Sequence, residues 1–583
     1  MAKWDFDAFT LATFRQRLAH VDALPQLAIL GVLCGALTGI VMLGFRGAIE
    51  VPLSFVLPGG DSENFEDLPV FARFALPVVG GLAIGFVLTR LSAENRSVGV
   101  THVMERLSRH QGHLPLRNAL LQFFGGALVL ISGHSSGREG PAIHLGAASS
   151  SLLGQALELP NNSIRTLVGC GTAAAIAASF NTPVAGVIFA MEVVMMEYSP
   201  ASFIPVILAA VTATLLTHLV YGAEPAFNVP ELALNSLWEI PFVALLGLAA
   251  GLLAAIFIRL ARSVADYPLG SPWQRVALAG VLTGTTAIIV PQVMGIGYDT
   301  VNAALLGEIG IAAVILIMAS KLLVSACSVG LGVPAGLIGP TLVIGATLGA
   351  ALGYLVAWVF PDYANNPGFY VLLGMGAMMG ATLQAPLAAL MAILELSANP
   401  GIILPAMLAI VVAAMTASEV FKSRSIFLTT LEARGFRYLT DPLTLALQKV
   451  GVSGIMERSL ARLAAVTSVE AARTAMQDDP RWIVITRDNL PTAVLNAADL
   501  SRQLEILGES GGNADAIDLL EIPGLRMDVA LVDQRATLQE ARERVEQTGM
   551  EALCITRTSA PMIVSVVGVL TRQDIDDYYQ FSH

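Results

Sequence analysis

Two charges, Arg138 and Glu139, interrupt a long apolar stretch, within Gly133-His-Ser-Ser-Gly-Arg-Glu-Gly-Pro-Ala-Ile-His-Leu-Gly-Ala147. Charges at membrane depth are costly and usually line a pore or a site. Gly137, Gly140 and Pro141 permit an irregular turn, and Pro141 can open a helix at its first position. A helix starting there aims free backbone N–H groups at whatever lies in front of it, which makes an anion site. Ionised, Glu139 would compete with the anion and block; protonated, it would leave. Burial and nearby anions would raise its affinity for a proton, making it a proton-sensitive gate. The plainer reading is a structural ion pair with Arg138, although adjacent residues on a helix rarely face each other. Arg138 has two readings of its own. It could concentrate anions at a pore mouth, or it could snorkel to the interface and matter only for folding.

The elements that must position these residues come in duplicate. Gly137-Arg-Glu-Gly-Pro141 followed by Gly146-Ala147 is matched by Gly336-Leu-Ile-Gly-Pro340 followed by Gly345-Ala346, at one constant offset. A second pair shares another offset: Pro183 leads a run ending in Glu192, and Pro386 leads one ending in Glu395. Transporters built from internal repeats place their sites where such broken-helix elements meet.

These two frames, followed by a two-part polar tail, resemble the CLC family of chloride channels and chloride/proton exchangers over essentially the whole chain. Ile338 stands where the second motif usually has phenylalanine. The resemblance implies that Glu139 is the gate and that backbone groups near Arg138, Gly140, Leu337 and Ile338 serve the anion. Family members also cradle the central anion with a serine and a late tyrosine. Here those positions fall on Val98, in Ser97-Val-Gly-Val-Thr101, and on Phe427, so both hydroxyls are expected to be missing. The amides of Gly99, Leu337 and Ile338 would still donate, and Ser97 would substitute if the register slips. Exchangers often carry a second glutamate after the position of Glu192; here it is Val193, as in members that act as channels. Glu197, one helical turn further, would be the alternative inner proton relay, or else a solvated helix end.

Composition agrees with a membrane protein. Of 583 residues, 55% are hydrophobic and 13% charged, and mean hydropathy is +0.68. So apolar a chain crosses the membrane many times. The net charge of −12 does not suit nucleic acid. Four cysteines and eight histidines show no metal or disulfide spacing. No nucleophile–base pair or His-Glu-x-x-His motif is present, so no enzyme is expected. His144, Asn181 and Thr182 read as packing or backbone-satisfying residues. Asp5, Asp7, Arg15, Arg17 and Asp22 argue against a cleavable signal peptide.

Residues 1–23 contain an amphipathic surface helix over about 5–20. Residues 24–446 form the membrane domain, its first half about 24–230 and its second about 231–430, divided by the polar stretch 222–236. Apolar segments fall near 24–46, 71–91, 117–132, 141–157, 164–178, 182–196 and 201–221, then 238–263, 274–291, 310–328, 340–360, 369–380, 385–397 and 402–420. Several are too short to span. Arg90, Arg96, Arg106 and Arg109 flank a span on what the charge bias makes the cytoplasmic side. Residues 447–583 read as two β-α-β-β-α units, about 447–510 and 520–583. Thr467-Ser-Val-Glu-Ala-Ala-Arg473 is echoed by Ala536-Thr-Leu-Gln-Glu-Ala-Arg542. The tail resembles a pair of CBS domains, whose ribose-holding positions fall on Thr571 and Asp574. Asp574 could equally serve only to start the last helix.

The expected fold is an all-α polytopic membrane domain of two inverted repeats with broken helices, plus a C-terminal α+β cytoplasmic CBS pair. The expected function is passive, pH- and voltage-dependent flow of chloride or another small anion across the inner (plasma) membrane, with both termini cytoplasmic. The alternatives are proton-coupled antiport, or a nucleotide sensor on a membrane scaffold. Expected partners are the anion, protons, lipid and a second copy of the chain, with no cofactor beyond an adenine nucleotide at the tail.

Overall fold

The computed structural model describes residues 11–19, 23–198, 200–223, 227, 229, 234, 236–361, 366–436, 442–509, 515–560 and 563–581. The chain divides into two compact units. One comprises Ala28–Ala156 and Ile164–Tyr438; the other comprises Met1–Leu27, Leu157–Ser163 and Leu439–His583.

The larger unit is helical. Among the described residues eight helices are long and apolar enough to cross a membrane, including Leu24–Val56, Val70–Arg90, Asn161–Phe180, Ile311–Leu331 and Ile338–Val359. Apolar side chains such as Phe55, Phe71, Leu219 and Trp358 stay exposed on them, as lipid-facing residues must. Between the long helices lie short ones. Pro183–Phe189 and Pro386–Ser397 each carry proline in the first turn, where its missing N–H costs nothing. Three more, Gly99–Arg109, Tyr298–Leu305 and Ile426–Ala433, fall outside every apolar segment read from the sequence. They are short and mix polar with apolar residues, so hydropathy does not reveal them.

Both repeated frames reappear as structure. Glu139–Ala156 packs on Asn161–Phe180 at Gly146 and Gly171, and Ile338–Val359 packs on Pro367–Leu383 at Gly345 and Gly374. A Cβ on Gly146 would lie 2.2 Å from the Gly171 carbonyl oxygen, and one on Gly345 would lie 2.3 Å from that of Gly374. Small residues let such helices approach closely. The second pair of offsets is a reciprocal cap. Glu395 accepts from the amides of Val184 (2.9 Å) and Ala185 (2.7 Å). Glu192 accepts from those of Leu387 (3.2 Å) and Ala388 (2.7 Å). Each half therefore supplies the carboxylate that neutralises the other half's helix N-terminus.

The smaller unit carries strands β1 (Leu460–Ala464), β2 (Val466–Ser468), β3 (Trp482–Arg487), β4 (Leu490–Asn496), β5 (Ala516–Asp518), β6 (Arg526–Asp533), β7 (Ala552–Ala560) and β8 (Ile563–Thr571). Six of them form one sheet in the order β1-β3-β4-β6-β7-β8. In each half a parallel pair, β1 with β3 or β6 with β7, is followed by an antiparallel return strand, β4 or β8. β4 and β6 join the halves. This is the twice-repeated strand–helix–strand–strand–helix order read from the sequence. Thr537 and Glu540 form a reciprocal capping box at the start of Leu538–Thr548, as the Thr-x-x-Glu spacing dictates. The helix Pro442–Gln448 also belongs here, with Leu447 in the core of the second repeat. The amphipathic helix expected over 5–20 is seen over Leu11–Leu18; residues 1–10 and 20–22 lie outside the described residues, as does most of the polar stretch 222–236.

Cys34, Cys170 and Cys554 are buried, Cys327 is half-buried, and all four are free thiols.

Candidate functional site

Four helices begin around one cavity of about 100 Å³, lined among others by Val98, Gly99, Gly140, Leu337, Ile338 and Phe427. Gly99–Arg109 starts after Val98, and Ile338–Val359 starts after Leu337; neither Val98 nor Leu337 caps its helix with a side chain. Glu139–Ala156 contributes Gly140 from its first turn, and Ile426–Ala433 contributes Phe427. The first-turn amides of such helices carry partial positive charge, so their convergence favours an anion. Val98 and Phe427 present no hydroxyl. Thr101 and Thr430 also line the cavity, although Thr430 Oγ1 is tied to the Ile426 carbonyl at 2.7 Å. Ser97 does not line it; its carbonyl accepts from Asn118 Nδ2 at 2.9 Å. Arg96 and Arg434 complete the wall.

The helix Glu139–Ala156 starts at Glu139 itself, two residues before Pro141. Glu139 is fully buried. Its Oε2 accepts from the Gly339 amide at 3.1 Å and its Oε1 from the Tyr298 hydroxyl at 2.5 Å. The two repeated frames are stitched together beside it. Gly137 and Gly336 exchange two backbone hydrogen bonds of 2.8 Å. A Cβ on Gly140 would lie 2.7 Å from Gly336 Cα, so only glycine permits this approach.

Arg138 turns away from Glu139. Its Nη2 donates to the Ser179 carbonyl at 3.2 Å and its Nη1 lies 3.7 Å from Glu50 Oε1. It lines a separate cavity with Arg46, Glu50 and Glu63. Glu139 is therefore held by neutral donors rather than by an ion pair with its neighbour.

Tyr298 escaped the sequence reading because its short helix left no apolar signature. Its position is fixed from behind. Lys321, wholly buried, donates from Nζ to the carbonyls of Val293 (3.1 Å) and Gly295 (3.0 Å). The turn at Gly297, with φ of +87°, then delivers Tyr298 as the first helical residue. A lysine alone in an apolar helix was the available signal, since a buried charge needs local acceptors.

Residues 80–418 match the family described as Voltage gated chloride channel. The chain belongs to the voltage-gated chloride channel family. It is 33% identical over 402 residues to a Ralstonia nicotianae protein named Putative chloride channel protein ClcB-like, covering 67% of this chain and 93% of that one. It is 30% identical over 410 residues to the Citrobacter koseri Voltage-gated ClC-type chloride channel ClcB, covering 68% and 97%. Among solved structures, a slow cyanobacterial Cl-/H+ antiporter superposes with a TM-score of 0.63 at 23% identity, covering 70% of this chain and 97% of that chain. A eukaryotic CLC transporter does so with 0.58 at 19% identity, covering 94% and 97%.

Other residues of this voltage-gated chloride channel family chain lie apart from the cavity. Val193 is buried beside Glu192 in the π-helical turn Ala190–Met195. That turn ends at Met196 in a left-handed conformation, so Glu197 lies beyond the helix, half-buried, its amide bonded to the Met191 carbonyl at 3.0 Å. His144 does more than pack: its Nε2 lies 2.9 Å from Nδ1 of His102, joining Glu139–Ala156 to Gly99–Arg109. In the tail, Asp574 Oδ2 accepts from both the amide (2.8 Å) and the hydroxyl (2.7 Å) of Thr571. The pair thus starts the last helix, Arg572–Phe581.

Proposed function

We propose that the chain carries chloride or a similar small anion passively across the membrane, with Glu139 as a protonatable gate. The observation that carries this reading is the position of the Glu139 carboxylate. It is buried at the meeting of the two broken-helix frames, one residue from a cavity formed by four helix N-termini. Ionised, it occupies donors that an anion would otherwise use; protonated, it loses much of its attraction for them. Passive flow is supported by Val193, which cannot relay a proton, and by the engagement of Glu192 as a cap on Leu387 and Ala388. The competing reading, proton-coupled exchange, has the buried His102–His144 pair as its candidate relay, with His144 on the Glu139 helix and His102 on Gly99–Arg109. One experiment separates the two. In proteoliposomes under an imposed chloride gradient at equal pH, with voltage clamped away from the proton equilibrium, passive flow produces no sustained proton uptake or release. Uphill proton movement driven by chloride overturns it. Glu139→Gln should make chloride efflux nearly independent of pH; wild-type pH dependence in that variant removes Glu139 as the gate.

For the tail we infer a CBS-like pair, supported by its twice-repeated strand and helix order, lying in the cytoplasm of a homodimer in the plasma membrane. An adenine nucleotide at Thr571 and Asp574 would have to displace the bond between them. A cavity of about 520 Å³ within the same unit is a second place for a phosphate-bearing ligand; it is lined by Arg15, Arg458, Arg535 and Arg557, with Glu158 and Asp533 paired to Arg15 and Arg535.

A further inference from the structure

We propose that Tyr298 is the latch of the gate: its hydroxyl holds the Glu139 carboxylate in place and sets the pH at which the gate releases. This rests on the reading of Glu139 as the gate.

Among the described residues the carboxylate has two donors, the Tyr298 hydroxyl at 2.5 Å and the Gly339 amide at 3.1 Å. The Tyr298 bond is the shorter of the two. Gly339 is fixed in a helix and cannot be removed by a side-chain change; Tyr298 is a single oxygen on an otherwise apolar ring. That ring is 4% exposed. It packs edge-on against Phe227, with centroids 5.1 Å apart, and against Phe180 at 6.2 Å. Behind it, the Lys321 clamp on the carbonyls of Val293 and Gly295 fixes where its helix begins. The hydroxyl therefore keeps its place when the carboxylate leaves, ready to receive it again.

Bonding to a fixed donor favours the ionised, blocking state over the protonated one. Removing the oxygen must shift the balance toward the protonated, released state, so the gate opens at a higher pH. The charged and titratable groups around the pair are Arg138, whose guanidinium lies 5.5 Å from the Tyr298 ring centroid, Glu50 beside Arg138, and Glu63, which lines the same cavity as both. Asp299 follows Tyr298 in its helix and Lys321 stands behind its loop. All of these survive a change at Tyr298, so a shift produced by losing the hydroxyl belongs to the hydroxyl.

The test is chloride efflux from proteoliposomes measured against pH for wild type, Tyr298→Phe, Glu139→Gln and the double variant. Tyr298→Phe keeps the ring and its packing. The midpoint of activation should move up by roughly one to two pH units, the worth of one hydrogen bond to a charged group. In the Glu139→Gln background the same change should produce no pH shift, because no titrating carboxylate remains to be held. An unmoved midpoint in Tyr298→Phe overturns the latch, as does an equal shift in both backgrounds, which would place the effect elsewhere. Retention of wild-type pH dependence by Glu139→Gln alone sinks the gate reading instead, so the two failures are distinguishable. A merely structural role for Tyr298 would lower the amplitude of flux and the melting temperature without moving the midpoint.

Discussion

A single oxygen or methyl group decides much at this site. Phe427 lines the four-helix cavity with Gly99 and Ile338, whose backbone amides open two of the helices there. Phe427→Tyr would add a hydroxyl beside them, and a net hydrogen bond is worth about 0.5–1.5 kcal/mol. Chloride affinity measured by calorimetry should therefore rise, up to roughly tenfold; unchanged affinity would mean that the backbone field alone defines the site. Gly140 is the opposite case. A Cβ there meets the backbone of Gly336, which cannot yield without breaking the paired hydrogen bonds of Gly137 and Gly336. Gly140→Ala should lower the melting temperature in detergent and abolish flux together. In the tail, burial pushes the Cys554 thiol up to about 12. Only the thiolate is nucleophilic, so iodoacetamide at pH 8 should label Cys554 after denaturation and not before.

Helices here are held by one another's charges as well as by packing. Glu192 and Glu395 each cap the N-terminus of a short helix in the opposite half. Both carboxylates are half-buried, and each satisfies two amides that have no partner within their own helix. Loss of such a cap typically costs about 1–2 kcal/mol. Glu192→Gln and Glu395→Gln should therefore lower the melting temperature by similar amounts, because the two caps are related by the internal repeat. A large effect from Glu192→Gln on pH dependence, with none from Glu395→Gln, would instead mark Glu192 as part of a proton path.

At the scale of the whole molecule the chain joins two kinds of architecture. The larger unit buries polar backbone inside itself and leaves apolar side chains outside, as the absence of water in a bilayer requires. The smaller unit has the opposite surface logic, with apolar clusters enclosed by sheet and helices. Its arginine-lined cavity leads to a prediction for the full-length protein. Millimolar ATP should raise the melting temperature if the cavity takes phosphate groups, since a ligand that binds only the folded state stabilises it. Arg458→Gln with Arg557→Gln should remove that rise while Asp574→Ala leaves it. The reverse pattern would return the ligand to Thr571 and Asp574.

Much of this was legible from residue order. Hydropathy revealed the long spans because a segment in lipid must be apolar along its length. The repeated Gly-x-x-Gly-Pro frames and the paired Pro…Glu runs revealed two related halves, because a broken helix needs glycine and proline whatever surrounds it. The motif marked Glu139, and the echo of Thr467–Arg473 in Ala536–Arg542 marked the tail as a repeat. Other features depended on distant segments meeting. Nothing local to Glu139 says that its partners are Tyr298, some 160 positions away in sequence, and an amide of the second frame. Nothing local to Glu192 says that it caps a helix almost 200 residues on. Short helices such as Tyr298–Leu305 are set by tertiary packing and by the Lys321 clamp rather than by a periodic pattern. The direction of Arg138, away from its neighbour and toward Glu50, was likewise decided by the fold, because sequence adjacency fixes where a side chain starts and not where it points.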